Sequence, residues 1–430
     1  MSVLTINERS PIFLMKSSNP INILPLTVLF LSISRGLIAL LMGGMSTQLV
    51  YYGVTIFGVA VSLLGITRKK MQIVGGKKLY QILVVNLLVY IYWIVTDLLL
   101  GGGAESILYF LRMALIPFVI YMFLNVDEKL LMRLLFVVSV LVAASCILDF
   151  ILLNTNIVAN GRDWYFWYAS AFRQGGMPLG SHIAHVYRAT GITGNMHDSG
   201  NLMAILVVFW FGIIMTRRGL RYVIISMPIF IVALLMTFSV SNIFAAFAGV
   251  VAIIIYQMRF IKLRNISVII SVLIVGGAIY LLAEYFFNFN WSLITGWTLK
   301  LRAVQWKAIT TIGASDFWTD FFMFFAGHGF TAKISNIPFI TEFAVLRMAY
   351  NSGLFTFIIS LLLILYPVLC FFKSSRLTRK MMLPAVTAVG VGVLSLWHYG
   401  SVFRSTNIFL FYTMFAIAIQ NKVRNHLLKQ

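Results

Sequence analysis

The chain has 430 residues, of which 60% are hydrophobic and only 10% are Asp, Glu, Lys or Arg. Soluble domains carry about 25% charged residues, so this chain lacks the charge to cover a water-facing surface, and lipid must cover it instead. The formal net charge of +21 invites a nucleic-acid partner, but the placement of the basic residues described below argues against one. Cys146 and Cys370 both sit in apolar runs, which speaks against a disulfide framework and against a thiolate metal site.

Taken in chain order, twelve apolar stretches can be drawn, at roughly 21–43, 48–66, 80–99, 105–124, 131–153, 198–216, 220–238, 240–258, 265–287, 345–371, 382–397 and 405–420. Each is near the ~20 residues that cross ~30 Å of hydrocarbon. Each must be helical, because lipid offers no partner to backbone N–H and C=O groups. The expected fold is therefore all-α: a polytopic integral membrane protein of about twelve transmembrane helices, forming a single membrane domain over residues 1–430. No cleavable signal peptide is evident.

Basic residues follow alternate stretches. Arg68, Lys69, Lys70, Lys77 and Lys78 follow the second, and Arg217, Arg218 and Arg221 the sixth. Arg259, Lys262 and Arg264 follow the eighth, Lys373, Arg376, Arg379 and Lys380 the tenth, and Lys422, Arg424 and Lys429 the last. The positive-inside rule makes that side cytoplasmic, with both termini on it. The clusters then read as topology signals of a bacterial inner-membrane protein. Two large periplasmic loops result, 154–197 and 288–344. Loops beyond ~15 residues are uncommon unless they have a task.

The first loop ends in His182, His185, Arg188, Gly191, Gly194, Asn195, His197, Asp198 and Asn201. A guanidinium grips phosphate with two parallel hydrogen bonds, so Arg188 reads as a phosphate binder or as an anchor to headgroups. Arg173 has a weaker version of the same case. His197 and Asp198 read as sugar-orienting groups or as helix caps. In the second loop, Arg302 and Arg347 are candidate phosphate or sugar binders, and Glu342 and Asp320 candidate general bases. Trp306 supplies an aromatic face there. His398 and Arg404, between the last two stretches, point to the same outer compartment. No nucleotide-binding glycine loop and no four-ligand zinc pattern is visible.

Two motifs carry a family resemblance. One is Arg188-Ala189-Thr190-Gly191-Ile192-Thr193-Gly194-Asn195 running into Met196-His197-Asp198-Ser199-Gly200-Asn201. The other is Gly327-His328-Gly329-Phe330, followed by Glu342, Leu346 and Tyr350-Asn351-Ser352-Gly353-Leu354. With the two-loop layout, they make the chain resemble bacterial O-antigen and exopolysaccharide polymerases of the Wzy type, in the superfamily that includes the O-antigen ligase. Arg302 and Gly313 also fit an arginine–ten residues–glycine spacing found in some polymerases. From Arg188 the same spacing reaches Ser199, one residue short of Gly200.

The resemblance implies transfer of a growing glycan from undecaprenyl pyrophosphate onto an incoming lipid-linked repeat unit. It requires no cofactor, metal or nucleotide. Arg188 and Arg302 would bind the pyrophosphate or stabilise its departure. His328, Glu342 or His398 would activate or position the acceptor hydroxyl. Arg173, Asn195, His197, Trp306, Arg347 and Arg404 would hold substrate. The lipid-linked oligosaccharide, membrane lipids, a chain-length regulator and a flippase are the implied partners. Two other readings stay open, a ligase-like glycan transferase and a transporter or flippase for lipid-linked sugars.

The layout predicts that a cysteine replacing Ser181 reacts with a membrane-impermeant thiol reagent added outside intact cells. Reaction only after the cells are opened would invert the topology.

Overall fold

A computed structural model describes residues 20–34, 76–99, 116–124, 126–154, 188–216, 221–257, 351–395 and 407–427, with a few isolated positions between them. These residues form helices and short turns. In chain order the helices are α1 (Pro20–Ile33), α2 (Gly76–Leu99), α3 (Ile116–Leu124), α4 (Glu128–Asn154), α5 (Met196–Thr216), α6 (Arg221–Met236), α7 (Val240–Gln257), α8 (Leu354–Phe372), α9 (Arg376–Ser395) and α10 (Asn407–Leu427).

The all-α, multi-span expectation stands, but the expected count of about twelve spans does not. Among the described residues six helices are long and apolar enough to cross a bilayer: Leu79–Leu99, Glu128–Leu152, Met196–Thr216, Val240–Gln257, Leu354–Phe372 and Arg376–Leu394. The physical reason is that hydropathy registers composition, whereas crossing also requires helix length. The stretch at 220–238 holds the 16-residue α6. Of the stretch at 105–124 the described part is the nine-residue α3, and of that at 21–43 chiefly the 14-residue α1. The last stretch holds the shorter apolar helix Ile408–Lys422. The stretch 265–287 and nearly all of 48–66 lie outside the described residues.

α5 is the axis of the bundle. Its side chains are buried from His197 to Met215, as expected of a helix that is apolar on every side. α4, α6, α7 and α9 pack around it. Glycines permit the closest approaches. A Cβ on Gly212 would lie 2.8 Å from the backbone Cα of Pro384 in α9, and one on Gly249 of α7 would lie 2.7 Å from Val391. Lipid tails match leucine in polarity, so association of spans relies on such close contact. Between α5 and α4 the polar side chains in the core are paired: Trp210 donates its Nε1–H to Ser139 Oγ at 2.8 Å, and Ser139 donates in turn to Leu135 O at 2.6 Å.

The turns divide the bundle into two ends. α4 finishes, α5 begins and α6 turns into α7 at one end, here termed the mouth. Arg221, Lys373, Arg376, Arg379 and Lys380 begin or end helices at the other. Asn421 of α10 donates to Met381 O of α9 at this basic end. Gln420 donates to the carbonyls of Phe123, Leu124 and Val126 at 2.8–3.3 Å, closing the C-terminus of α3. One amide thereby replaces partners that lipid cannot supply.

Gly212→Leu should destabilise the bundle by about 1–3 kcal/mol, the usual cost of overpacking, measured as a lower unfolding midpoint in detergent. An unchanged midpoint would mean that α5 and α9 are not in contact at this position.

Candidate functional site

The mouth of α5 is assembled from one short stretch of chain and two neighbouring helix ends. Asn195 is the N-cap. Its Oδ1 accepts the His197 and Asp198 amides at 2.8 and 3.3 Å, and its carbonyl accepts Ser199 N–H at 2.9 Å. This satisfies donors that a helix start leaves orphaned. Asp198 follows in the first turn, where a carboxylate suits the helix dipole. Before the cap runs a single 3-10 turn, Gly191–Thr193, ended by Gly194 in the left-handed region at φ 69°.

That turn is pinned to α4. Asp149 Oδ2 accepts the Thr190 amide at 2.7 Å, the Thr190 hydroxyl at 2.9 Å and the Gly191 amide at 3.1 Å. Ser145 Oγ accepts Ile192 N–H at 3.1 Å. Gly191 has φ 54°, and a Cβ there would meet Cys146 Sγ and Ser145 Oγ at 2.8 Å. Both the conformation and the space therefore demand glycine. Inside the turn, Thr193 Oγ1 and Ser199 Oγ lie 2.7 Å apart, and Ser199 donates to Thr190 O.

The other wall is the α6–α7 turn. Ala189 N–H bonds Met236 O at 3.0 Å. The half-buried Arg188 donates from Nε to Thr237 O at 3.1 Å and from Nη2 to Phe238 O at 2.7 Å. Phe238 takes a left-handed φ of 46° to turn the chain. Asn242 at the start of α7 donates to Ser239 Oγ at 2.8 Å and to His197 O at 3.3 Å. A Cβ on Gly200 would lie 2.7 Å from the Ser239 Cβ, so the α5 backbone presses directly on this turn.

The result is a hydrogen-bonded polar mouth with an arginine at its edge. Carbonyl acceptors orient the guanidinium. Such a group holds an anion without reorganising. Among the described residues no group of three or more His, Cys, Asp or Glu comes together as a metal site.

A second polar junction forms where α8 begins. Gly327, at φ 69°, lies so close to the 351–353 segment that a Cβ would come within 2.5 Å of Asn351 O. Trp93 Nε1 of α2 reaches the same carbonyl at 3.4 Å, and Phe325 packs on Phe355 with ring centroids 5.4 Å apart. The two halves of the second sequence motif are therefore adjacent through Gly327 and Asn351–Gly353.

Of the candidate residues, Arg188, Asn195 and His197 fall together at the α5 mouth. Arg188 is tied to protein carbonyls, and Asn195 rather than His197 or Asp198 supplies the capping oxygen. Arg173, Arg302, Trp306, His328, Glu342, Arg347, His398 and Arg404 lie outside the described residues, as does most of the loops 154–197 and 288–344. Three residues of the mouth escaped the sequence reading: Asp149, Ser145 and Asn242. A carboxylate near the end of an apolar span is costly without partners, and that was the available signal for Asp149.

No family model matches the chain. No curated protein is significantly similar to it.

Asp149→Ala removes the acceptor of two buried amides and one hydroxyl. It should cost about 2–4 kcal/mol, from donors left unsatisfied, seen as a lower thermal midpoint, with Asp149→Asn recovering part of the loss. Equal stability of wild type and Asp149→Ala would show that the carboxylate does not hold the turn.

Proposed function

We propose that the chain is a bacterial inner-membrane polysaccharide polymerase that joins undecaprenyl-pyrophosphate-linked repeat units at the periplasmic face. The observation that carries this reading is the position of the arginine-bearing mouth at the end of the bundle opposite the basic residues. With the positive-inside rule, an anion-holding site then faces outward at the level of lipid headgroups. A membrane-borne pyrophosphate presents its charge at that level.

In the proposed step the bond between the donor's anomeric carbon and the pyrophosphate oxygen breaks. A new bond forms from that carbon to a hydroxyl of the incoming unit. The bonding electron pair leaves with undecaprenyl pyrophosphate, and the hydroxyl proton passes to a base or to solvent. Arg188 stabilises the charge that grows on the leaving oxygen, an effect that preorganised donors deliver most strongly where water is scarce. Arg302 would share this task, with His328, Glu342 or His398 as candidate acceptor-activating groups. The activated lipid supplies the energy, so the step calls for no nucleotide. A flippase delivering the units and a chain-length regulator are natural partners.

Loss of the protein should leave single repeat units on lipid in the outer leaflet. Finished but unattached polymer would instead indicate a ligase, and units held on the cytoplasmic leaflet a transporter. Arg188→Lys keeps the charge but loses the fork. It should remain inserted and lower chain growth by about 10²-fold, the scale for removing one transition-state donor. Full-length polymer from Arg188→Ala would remove this residue from the chemistry.

A further inference from the structure

A polar stripe runs down one face of α2, away from the α5 mouth. Asn86, Tyr90, Trp93 and Asp97 are spaced as neighbours along a helix face, and each is at most 2% exposed. Opposite them, Thr356 and Ser360 of α8 are equally buried, and so is Tyr412 of α10. The Trp93–Asn351 hydrogen bond sets the register between α2 and the start of α8. At 1.5 Å per residue along antiparallel helices, it brings Thr356 to a level between Tyr90 and Asn86 and Ser360 to just beyond Asn86. α10 packs against α8, which itself packs against α2, and so brings the buried Tyr412 to this junction. Asn86 itself lies about 20 Å along α2 from its mouth end.

Four buried atoms of this set have no hydrogen-bond partner: Asn86 Oδ1, Asn351 Oδ1, Thr356 Oγ1 and Tyr412 OH. All four are oxygens. Elsewhere in the bundle, buried hydroxyls such as Ser139 and Thr413 are paired. Unsatisfied polar groups are costly in a low-dielectric interior, and apolar side chains of the same shape would pack there at lower free energy. A row of them on three helices indicates a second state in which they are satisfied. The stripe's described residues include an acid, Asp97, and no Lys, Arg or His. It therefore suits donors of hydrogen bonds and offers no described cation to a phosphate.

We propose that the α2–α8–α10 interface is a closed cleft that opens from the mouth end to about mid-membrane and takes O–H donors, either water or the hydroxyls of a neutral sugar. Asn86 and Asn351 accept from such a ligand, and Thr356 and Tyr412 accept or donate. In the present structure the cleft is shut, with these atoms pressed against protein. Opening requires α2 to separate from α8, against which it packs.

The test uses the full chain in lipid nanodiscs, where both faces are reachable and no assumption about orientation or glycan chemistry enters. Cysteines are placed singly at Asn86 and Ser360, and at Leu88, which is 59% exposed on the lipid-facing side of α2. The native Cys146 and Cys370 are buried. A charged methanethiosulfonate should modify the Asn86→Cys and Ser360→Cys proteins at least tenfold faster than Leu88→Cys. Slowing by millimolar maltotriose but not by inorganic phosphate assigns the cleft to sugar. Labelling that neither slows assigns it to water. In parallel, Thr356→Val and Tyr412→Phe should each raise the melting temperature by roughly 2 °C, because each removes an unsatisfied group without opening a cavity. Labelling at Asn86 and Ser360 no faster than at Leu88, or lower melting temperatures for both substitutions, would overturn the proposal. Because neither readout involves polymer, these outcomes are independent of the polymerase reading.

Discussion

The three hydrogen bonds accepted by the Asp149 carboxylate hold the α5 mouth together. A carboxylate near the end of a span is expensive, and so is a backbone that leaves helical geometry at membrane depth. Each cost offsets the other here. The Thr190 and Gly191 amides, freed by the 3-10 turn, find an acceptor, and the acceptor finds donors. Charge-assisted bonds of this kind are about twice as strong as neutral ones. With the turn fixed to α4, Ala189 and Arg188 meet the α6–α7 carbonyls, and Asn195 is placed to cap α5.

Precision at the mouth also depends on how tightly α5 is gripped along its length. Gly200 lets it touch the α6–α7 turn, and Gly212 lets it touch α9 near the basic end. Interiors packed this closely do not deform continuously, so the arginine at the rim is set by the whole bundle. The α2–α8–α10 interface contrasts with it. There Asn86 Oδ1, Asn351 Oδ1, Thr356 Oγ1 and Tyr412 OH are buried without partners, and local free energy is left unrecovered. One region is fixed by its hydrogen bonds, and the other holds polar atoms that closer pairing would satisfy.

The helical, membrane-spanning class was legible because composition alone forces it. The number of spans was not. The apolar run at 220–238 looks like a full crossing by hydropathy, yet its helix α6 is 16 residues long. A glycine-rich, polar stretch before α5 was legible as a special site, since Gly191 and Gly194 are residues that tolerate positive φ. Its partners were not, because Asp149 lies 41 residues from Thr190 and the α6–α7 carbonyls nearly 50 from Arg188. Backbone acceptors leave no trace in side-chain identity. The polar stripe was partly visible as Asn86 and Asp97 within an apolar run, but only packing shows that Thr356 and Tyr412 face them.

Amide hydrogen exchange across residues 188–199 in a membrane mimetic tests the central claim most directly. If Asp149 and the α6–α7 carbonyls hold this stretch, the Ala189, Thr190 and Gly191 amides should exchange on the slow timescale of α5 itself. Exchange as fast as that of an unstructured peptide would contradict a fixed mouth, and with it the proposed preorganised place for an anion.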